Sequence, residues 1–226
     1  MTTVRVLDKK IFRDLVRMWG QMLAIALVLA AGVATLVLSV GAYQSLDETR
    51  NAYYQRYHFA DVFAVLTRAP KQLEQQITAI DGIGTVETRI SKPAILDIAE
   101  FAPPVTGLIL SLPDHRPPRL NQTYVRAGRF PEAKSSREVA INEAFAKAHD
   151  LEIGDQFQAI LNGRKRRLTI TGILLSPEFI YALGPGDLVP DDKRFAVIWM
   201  SEEALAEIFD LDGAFNAVSV QLLRGA

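Results

Sequence analysis

The longest pattern in the chain is a run from Met18 to Leu46 that contains no Asp, Glu, Lys or Arg. Its centre, from Met22 to Ala42, is almost wholly apolar. As a helix rising ~1.5 Å per residue, this centre spans about 30 Å, which is the thickness of the hydrocarbon core of a bilayer. The pattern therefore predicts a transmembrane helix over residues 22–43, with everything after it on one side of a membrane.

The charges that flank this run predict its orientation. The basic residues before it are Arg5, Lys9, Lys10, Arg13 and Arg17. After Tyr43, the nearest basic residues are Arg50 and Arg56, which stand among acidic ones. Because basic flanks stay in the cytoplasm, the N-terminus is predicted to be cytoplasmic and the chain from about Ser45 onward to be outside. The expected location is the cell inner (cytoplasmic) membrane, with the lipid bilayer as a partner and the main domain periplasmic or extracellular.

A cleaved signal peptide is the alternative interpretation of this segment. The small residues Val40, Gly41 and Ala42 offer a cleavage site. Signal peptides, however, have an apolar region of only ~7–15 residues behind a short basic start. The length of the run therefore favours a retained anchor.

The segments on either side of the span have patterns of their own. Within residues 1–21, apolar positions recur at helical spacing from Ile11 to Trp19, which predicts an amphipathic helix at the cytoplasmic face or a simple extension of the transmembrane helix. From Ser45 to Tyr57 there is no Gly or Pro, so residues 44–59 are predicted to form a helical stalk.

Two β-α-β patterns follow, separated by a long middle segment. The first predicts strands at Ala60–Leu66 and Val86–Ile98, with a helix between Pro70 and Asp81-Gly82. The second predicts strands at Phe195–Met200 and Ala217–Leu223, with a helix capped by Ser201. The predicted fold class is α+β, with one N-terminal transmembrane helix followed by an extracytoplasmic split βαβ sheet domain. Residues 60–100 and 193–226 form that domain, and residues 101–192 form an inserted β-rich subdomain.

Within the insert, a β-hairpin is predicted from Phe157 to Leu174. Apolar and polar residues alternate on both sides of Asn162-Gly163, a pair that tolerates the positive φ angles of a tight turn. The basic run Arg164 to Arg167 is explained by a solvated strand edge better than by a nucleic-acid patch. Before the hairpin, Asn142 is predicted to cap a short helix, Glu143 to His149, with Phe145 packed inward.

Composition and motifs point away from catalysis. The chain has 25 basic and 26 acidic residues, a balance that argues against nucleic acid as a partner. It has no cysteine, no phosphate-binding Gly-x-x-x-x-Gly-Lys sequence and no nucleophile elbow. His58, His115 and His149 are isolated, and Asp191-Asp192 and Asp210 with Asp212-Gly213 are incomplete calcium loops. We predict no catalytic residue, no metal and no cofactor.

One apolar segment in the insert stands out. Phe179, Ile180 and Tyr181 precede Gly184-Pro185 and form a candidate partner-contact loop. The alternative, slightly favoured, is that the segment is a buried loop.

The motifs of the insert resemble those of a known family. The matching stretches, in order, are Leu120-Asn121, Gly128-Arg129-Phe130-Pro131, Glu138 to Glu143, Leu151 to Asp155 and Leu168 to Ile173. In order and spacing they are similar to the periplasmic core domain of MacB/FtsX-like ABC transporter permeases. The basic amphipathic start and the long single span agree with this resemblance, which covers nearly the whole chain.

The resemblance implies a permease subunit that is not itself an enzyme. Such a subunit couples ATP hydrolysis by a separate cytoplasmic ABC ATPase, which binds the ATP, to movement of its exported domain for export, for lipid or lipoprotein release, or for mechanotransmission. The other implied partners are a second permease subunit, identical or different, and a periplasmic adaptor. Members of the family continue with three further helices, so this chain is expected to be an N-terminal part or a split subunit. The alternative is a membrane-anchored extracytoplasmic scaffold or adaptor without transport activity.

The orientation gives the first prediction. A reporter that is active only outside the cytoplasm should be active when fused after Ala226, because the single span delivers the rest of the chain outward. N-terminal sequencing of membrane-extracted protein checks the anchor. A reporter confined to the cytosol, or a mature start near Tyr43, would contradict the interpretation.

Overall fold

The computed structural model describes residues 6–98, 101, 103 and 105–223. Arg5, one of the basic residues used to predict orientation, lies outside this range. The chain divides into two compact units, with the boundary between Ala52 and Tyr53.

The first unit is helical. Helix α1 covers Val6–Arg17 and helix α2 covers Trp19–Arg56. The Met18 N–H donates to the Asp14 carbonyl at 3.0 Å, so helical hydrogen bonding continues through the junction between the two helices. Helix α2 has 38 residues, none of them buried, and is long and apolar enough to cross a membrane. At ~1.5 Å per residue it is about 57 Å long, which exceeds the thickness of a bilayer core and includes most of the predicted stalk.

The second unit contains all ten strands of the described chain and three short helices. The strands are β1 Val62–Pro70, β2 Ile83–Arg89, β3 Ser91–Asp97, β4 Val105–Leu112, β5 Tyr124–Gly128, β6 Glu138–Asn142, β7 Gln156–Leu161, β8 Arg164–Leu175, β9 Phe195–Ser201 and β10 Ala214–Leu222. The helices are α3 Leu73–Thr78, α4 Glu143–Ala148 and α5 Glu202–Phe209, and a 3-10 turn covers Pro177–Phe179. The predicted α+β class, with a long apolar helix before a mixed domain, is confirmed.

The smaller sheet has three strands in the order β1-β10-β2. Strand β10 is antiparallel to both neighbours, so β1 and β2 run parallel to each other and are joined by α3. This arrangement is the predicted split βαβ motif. Its own small core contains Val86, Phe215 and Val218, with Leu73 and Ile77 of α3 packed against them.

The larger sheet closes on itself. Its seven strands follow the order β5-β8-β6-β9-β4-β3-β7, and β7 pairs in turn with β8. Strand β8 can do this because it is 12 residues long: its first half pairs with β7 and its second half pairs with β6 and β5. Six strands, β8, β6, β9, β4, β3 and β7, therefore form a closed barrel. Strand β5 is not part of this ring and pairs with the second half of β8.

Side chains fill the barrel. Fully buried residues from the strands include Leu161, Leu168 and Ile198, and Phe145 of α4 and Leu205 of α5 join the same apolar cluster. The predicted hairpin forms part of this wall. Asn162 and Gly163 have φ angles of 48° and 72°, which is the conformation that a two-residue turn between twisted strands requires.

A second apolar cluster lies outside this core. It includes Leu110, Leu174, Val197 and Trp199. Residues 176–190, which we call the strap, connect β8 to β9 and contribute buried Ala182 and partly buried Phe179 to this cluster. The strap therefore covers apolar surface that would otherwise face solvent.

The structure corrects two of the predicted strand assignments. The single strand predicted at Val86–Ile98 is two strands, which belong to different sheets and are separated by Ile90. Both main-chain groups of Ile90 bond to Ser111 in β4, so pairing with β10 ends there and pairing with β4 begins. Strand β9, placed by the sequence in the split sheet, pairs instead with β4 and β6 in the barrel. Strand β9 is an almost continuous apolar run, and the segment Val86–Ile98 alternates without a break in strand pattern, so neither pattern says which sheet a strand joins.

The predicted role of Asn142 as a helix cap is also wrong. Asn142 occupies the N-cap position of α4 but makes no capping hydrogen bond with its side chain. Its Oδ1 accepts a hydrogen bond from the Val197 N–H at 2.9 Å instead. The residue ties β6 to β9, and the bond satisfies a buried main-chain group that the short β6–β9 ladder leaves free. The prediction for Phe145 is confirmed, since it is fully buried.

A bidentate ion pair explains the spacing of Gly128-Arg129 and Glu138. Both guanidinium nitrogens of Arg129 donate to the Glu138 carboxylate at 2.8 Å. Gly128 allows the approach, because its φ is +73° and a Cβ there would lie 2.2 Å from the Thr171 carbonyl oxygen. The hydrogen bonds from Arg129 lower the pKa of Glu138 below its ordinary value.

This pair predicts a pH-dependent contribution to stability. The folded chain holds the Glu138 carboxylate ionised to lower pH than the unfolded chain does, so the stabilisation is present above the unfolded pKa and is lost as the pH falls through the folded pKa. Glu138→Gln should therefore lower the free energy of unfolding at pH 7 and have less effect in acid. Urea unfolding followed by Trp199 fluorescence at several pH values measures this. The control is Glu132→Gln, at an exposed neighbour 3.5 Å from Arg129, and an equal pH dependence in that variant would contradict the assignment.

Candidate functional site

The end of helix α2 leads into a cluster of aromatic rings in the second unit. The rings of Tyr53 and Tyr57, one helical turn apart, have centroids 4.8 Å apart. Tyr54 stacks on Phe59 at 4.6 Å, and Phe59 contacts Phe63 of β1 at 5.5 Å. These contacts pack the last turn of the helix against the first strand that follows it.

Asn121 fastens the segment after the helix. Its main-chain N–H donates to the His58 carbonyl at 2.9 Å, and the adjacent Gln122 N–H donates to the Tyr57 carbonyl at 2.9 Å. The Asn121 Oδ1 accepts from the Ala60 N–H at 3.0 Å. The loop before β5 thus satisfies three main-chain groups of residues 57–60, two of them the carbonyls of the residues that directly follow α2.

The same asparagine also reaches the three-stranded sheet. Its Nδ2 lies 3.4 Å from the Ser219 Oγ of β10. Asn121 is 6% exposed and has a φ of +50°, a left-handed conformation that Asn tolerates better than most residues. Its buried side chain therefore joins Ala60, shortly after the helix, to the small sheet, from the loop that leads into β5.

Asp61 makes a second attachment to the small sheet. Its N–H donates to the Val220 carbonyl at 2.9 Å, and its carboxylate accepts from the Leu222 N–H at 2.8 Å. Residues 57–61 are consequently held on both sides. We call residues 57–61 with Asn121 and Gln122 the helix anchor.

Polar contacts connect the small sheet to the barrel beyond the anchor. Both terminal guanidinium nitrogens of Arg116 donate to buried Glu87 of β2, at 3.1 and 2.6 Å, and this hydrogen bonding raises the pKa of Arg116 above its ordinary value. Asn216 of β10 exchanges two hydrogen bonds with the Ser91 main chain, at 2.8 and 2.7 Å. The Arg89 guanidinium forms a bidentate ion pair with Glu178 of the strap.

The candidate site residues from the sequence lie on different elements of the structure. Lys9, Lys10, Arg13 and Arg17 are all exposed on α1. In the candidate contact loop, Phe179 packs on Trp199 with ring centroids 6.3 Å apart, whereas Ile180 and Tyr181 are exposed, Tyr181 by 77%. The strap is thus half buried, and the interpretation of a simply buried loop does not describe its outer half.

The histidines have local structural contacts. The His149 Nε2 lies 2.8 Å from the Lys193 carbonyl oxygen, and its ring packs between Phe101 and Phe145. The His115 Nε2 is 3.2 Å from Glu203, beside Lys134. Within residues 6–98, 101, 103 and 105–223, no three His, Asp or Glu side chains are grouped as metal ligands.

The comparisons with known proteins return structures only. No family model and no curated protein matches the chain. The chain is similar to the extracellular domain of the noncanonic ABC-type transporter YknZ from Gram-positive bacteria, with 13% identity, a TM-score of 0.44, and coverage of 72% of this chain and 83% of that one. For the periplasmic region of MacB from Actinobacillus actinomycetemcomitans the values are 11%, 0.41, 74% and 68%.

A third similar structure is a domain described as part of a permease protein from Porphyromonas gingivalis. Its identity is 18%, its TM-score is 0.37, and the match covers 72% of this chain and 70% of that one. All three structures have low identity and low TM-scores, so the role of this chain is argued from its own residues.

Sequence reasoning missed the role of Asn121. The pair Leu120-Asn121 was part of the motif pattern, but a single Asn in a loop does not say which main-chain groups it bonds. The available signal was the residue type, since Asn both accepts left-handed φ angles and carries a donor and an acceptor.

Replacing Asn121 should loosen the helix anchor. Asn121→Gly keeps the φ angle and removes the side chain, leaving the buried Ala60 N–H without its partner at a cost of about 1–3 kcal/mol. Asn121→Ala should cost about 1–2 kcal/mol more, because a Cβ disfavours the left-handed conformation. Hydrogen exchange of the amides in residues 57–61 should accelerate in both variants.

Asn162→Gly is the matched control. Asn162 also has a positive φ and donates through Nδ2, but its acceptor is the Ile208 carbonyl, in the barrel. Exchange in residues 57–61 should be unchanged in that variant. Equal acceleration by both glycine variants would show general loosening and contradict the anchor.

Proposed function

We propose that this chain is the N-terminal part of an ABC transporter permease subunit in the cytoplasmic membrane. Its α2 helix spans the bilayer with the N-terminus in the cytoplasm, and its second unit is extracytoplasmic. A separate cytoplasmic ABC ATPase hydrolyses ATP, and the permease subunit passes the resulting helix movement to its exported domain. The motif resemblance and the long apolar helix support this assignment.

One observation carries the mechanical part of the proposal. Helix α2 is continuous from Trp19 to Arg56 and continues past the length needed for a bilayer, and the residues that follow it are hydrogen-bonded into both sheets. A helix resists bending much better than a loop, and a fixed attachment converts its displacement into displacement of the domain. A flexible linker with a freely hanging domain would need neither feature.

The detailed role that we propose comes from the family resemblance. The subunit couples ATP hydrolysis to export, to lipid or lipoprotein release, or to mechanotransmission across the membrane, together with a second permease subunit and a periplasmic adaptor. The alternative, an anchored scaffold or adaptor, keeps the same membrane anchor but needs no ATPase. Purification from native membranes distinguishes the two, because a permease brings down an ABC ATPase and a scaffold does not.

The coupling itself is tested with paired glycines in the stalk. Glu48→Gly with Thr49→Gly weakens the helix by about 1 kcal/mol per residue relative to Ala, and Glu48→Ala with Thr49→Ala is the matched control that removes the same side chains. This sequence has no cysteine. Once cysteines in the rest of the permease and in the ATPase are replaced, a dye placed at Ile95→Cys, whose native residue lies on β3 of the barrel and is 52% exposed, reports on the second unit outside the strap.

With the complete permease and its ATPase in nanodiscs, the alanine pair should keep the ATP-dependent change in dye emission. The glycine pair should reduce it, while ATPase binding stays the same. An unchanged response in the glycine pair would mean that rigid coupling through this segment is wrong.

A further inference from the structure

The two sheets of the second unit have separate apolar cores. Phe215 and Val86 belong to the core of the small sheet, whereas the barrel and its outer cluster are built from other residues, among which Ala214 at the start of β10 also belongs to the small sheet. The contacts that join the sheets near the anchor are mainly polar, and a narrow cleft of about 30 Å³ lies between them, lined in part by Glu87, Ser111 and Ser219. Separately packed layers joined by polar contacts can shift against each other without breaking a core.

The strap packs against the barrel, but it is hydrogen-bonded to the small sheet. Among residues the structure describes, the hydrogen bonds from residues 177–190 to other elements are those between Glu178 and Arg89. Arg89 is the last residue of β2 and pairs with Ala217 of β10. A shift of the small sheet therefore acts directly on the strap.

The Arg89–Glu178 ion pair is mostly buried, and one of its hydrogen-bond donors has no partner among the described residues. The Arg89 and Glu178 side chains are 18% and 12% exposed, and the buried Arg89 Nε has no hydrogen-bond partner in the described chain. A buried pair of this kind contributes little net stability against well-packed apolar residues, but it is strongly disfavoured to leave one partner alone. The two partners of such a contact therefore either pair fully or separate completely, which is the behaviour that a latch requires.

Beneath the strap lies the apolar surface that the latch keeps covered. Trp199 is only 3% exposed, and Phe179 packs edge-on against it. Ala182 is buried in the same cluster, while Leu183 and Leu188 face outward. Opening the strap would expose Trp199. The side chains now buried beneath the strap would then lie on the same exposed surface as Leu183 and Leu188.

We propose that the strap is a closure latched by the Arg89–Glu178 pair, which opens when the three-stranded sheet shifts against the barrel and uncovers the Trp199 cluster. The inference deepens the proposed function, because the helix anchor attaches residues 57–61 to β10 and so links stalk displacement to the strap. Its test needs no ATPase, so a failed latch and a failed permease assignment give different results.

The test uses the full chain in nanodiscs with Trp19→Phe, which leaves Trp199 as the sole tryptophan. Glu178→Gln removes the charge with little change of shape, and Arg89→Met removes the guanidinium while keeping an apolar stem. Both should accelerate hydrogen exchange in residues 177–190 by about tenfold or more, the order expected for losing a hydrogen bond to a charged group. Acrylamide quenching of Trp199 should increase in parallel.

Arg129→Met is the matched control. It breaks another bidentate pair, with Glu138 of β6, and leaves both the strap contacts and the contacts between the two sheets in place. Exchange in the strap should stay near the parent rate in this variant. The exchanged pair, Arg89→Glu with Glu178→Arg, should restore slow exchange if the pair itself is the latch.

Three results would overturn the proposal. Parent-like exchange and quenching in both Glu178→Gln and Arg89→Met would show that the strap is held by its apolar contacts alone. Equal acceleration by Arg129→Met would show general loosening of the domain. Acceleration across the barrel strands as well as the strap, with a lowered unfolding midpoint, would show that the pair stabilises the whole fold and does not act as a latch.

Discussion

The hydrogen bonds around Asn121 hold together parts of the molecule that the chain itself connects only loosely. Buried main-chain groups need partners, and the end of a helix leaves carbonyl groups without them. Here the partners of Tyr57 and His58 come from a loop more than sixty residues later in the chain, and Asn121 also approaches Ser219. The helix end, the small sheet and the barrel consequently meet at one point. Without these bonds, the other polar contacts between the sheets would remain, but residues 57–60 would lose their attachment to the loop before β5.

The balance between apolar and polar contacts gives the domain its mechanical character. Each sheet is stabilised by its own core, where the free energy of burial is large and insensitive to direction. Between the sheets, Arg116–Glu87, Arg89–Glu178 and Asn216–Ser91 define geometry more than they add stability. This combination favours a barrel and a small sheet that are each well packed and hold a defined relative position, over one continuous core.

Much of the architecture could be predicted from the sequence, and the errors have physical causes. The apolar run, the Asn162-Gly163 hairpin and the Ser201 cap depend on local chemistry, and the structure contains all three, with the Ser201 Oγ accepting from the Ala204 N–H at 3.3 Å. Sheet membership depends on distant pairing, so neither the switch at Ile90 nor the placement of β9 was visible in the pattern. At the site, the apolar run Phe179, Ile180 and Tyr181 marked the strap as a candidate, but the pattern did not say which of these side chains are buried. Asn121 was missed because its partners are mainly main-chain groups, which are the same at every position.

The closed ring of strands also limits where this domain can meet other molecules. Leu161, Leu168 and Phe145 fill its centre completely, and a ring of six strands is too narrow to hold both those side chains and a passage. Nothing can be conducted through such a plug. A molecule that contacts the barrel therefore does so at its outer surface, because the interior is occupied by the barrel's own side chains.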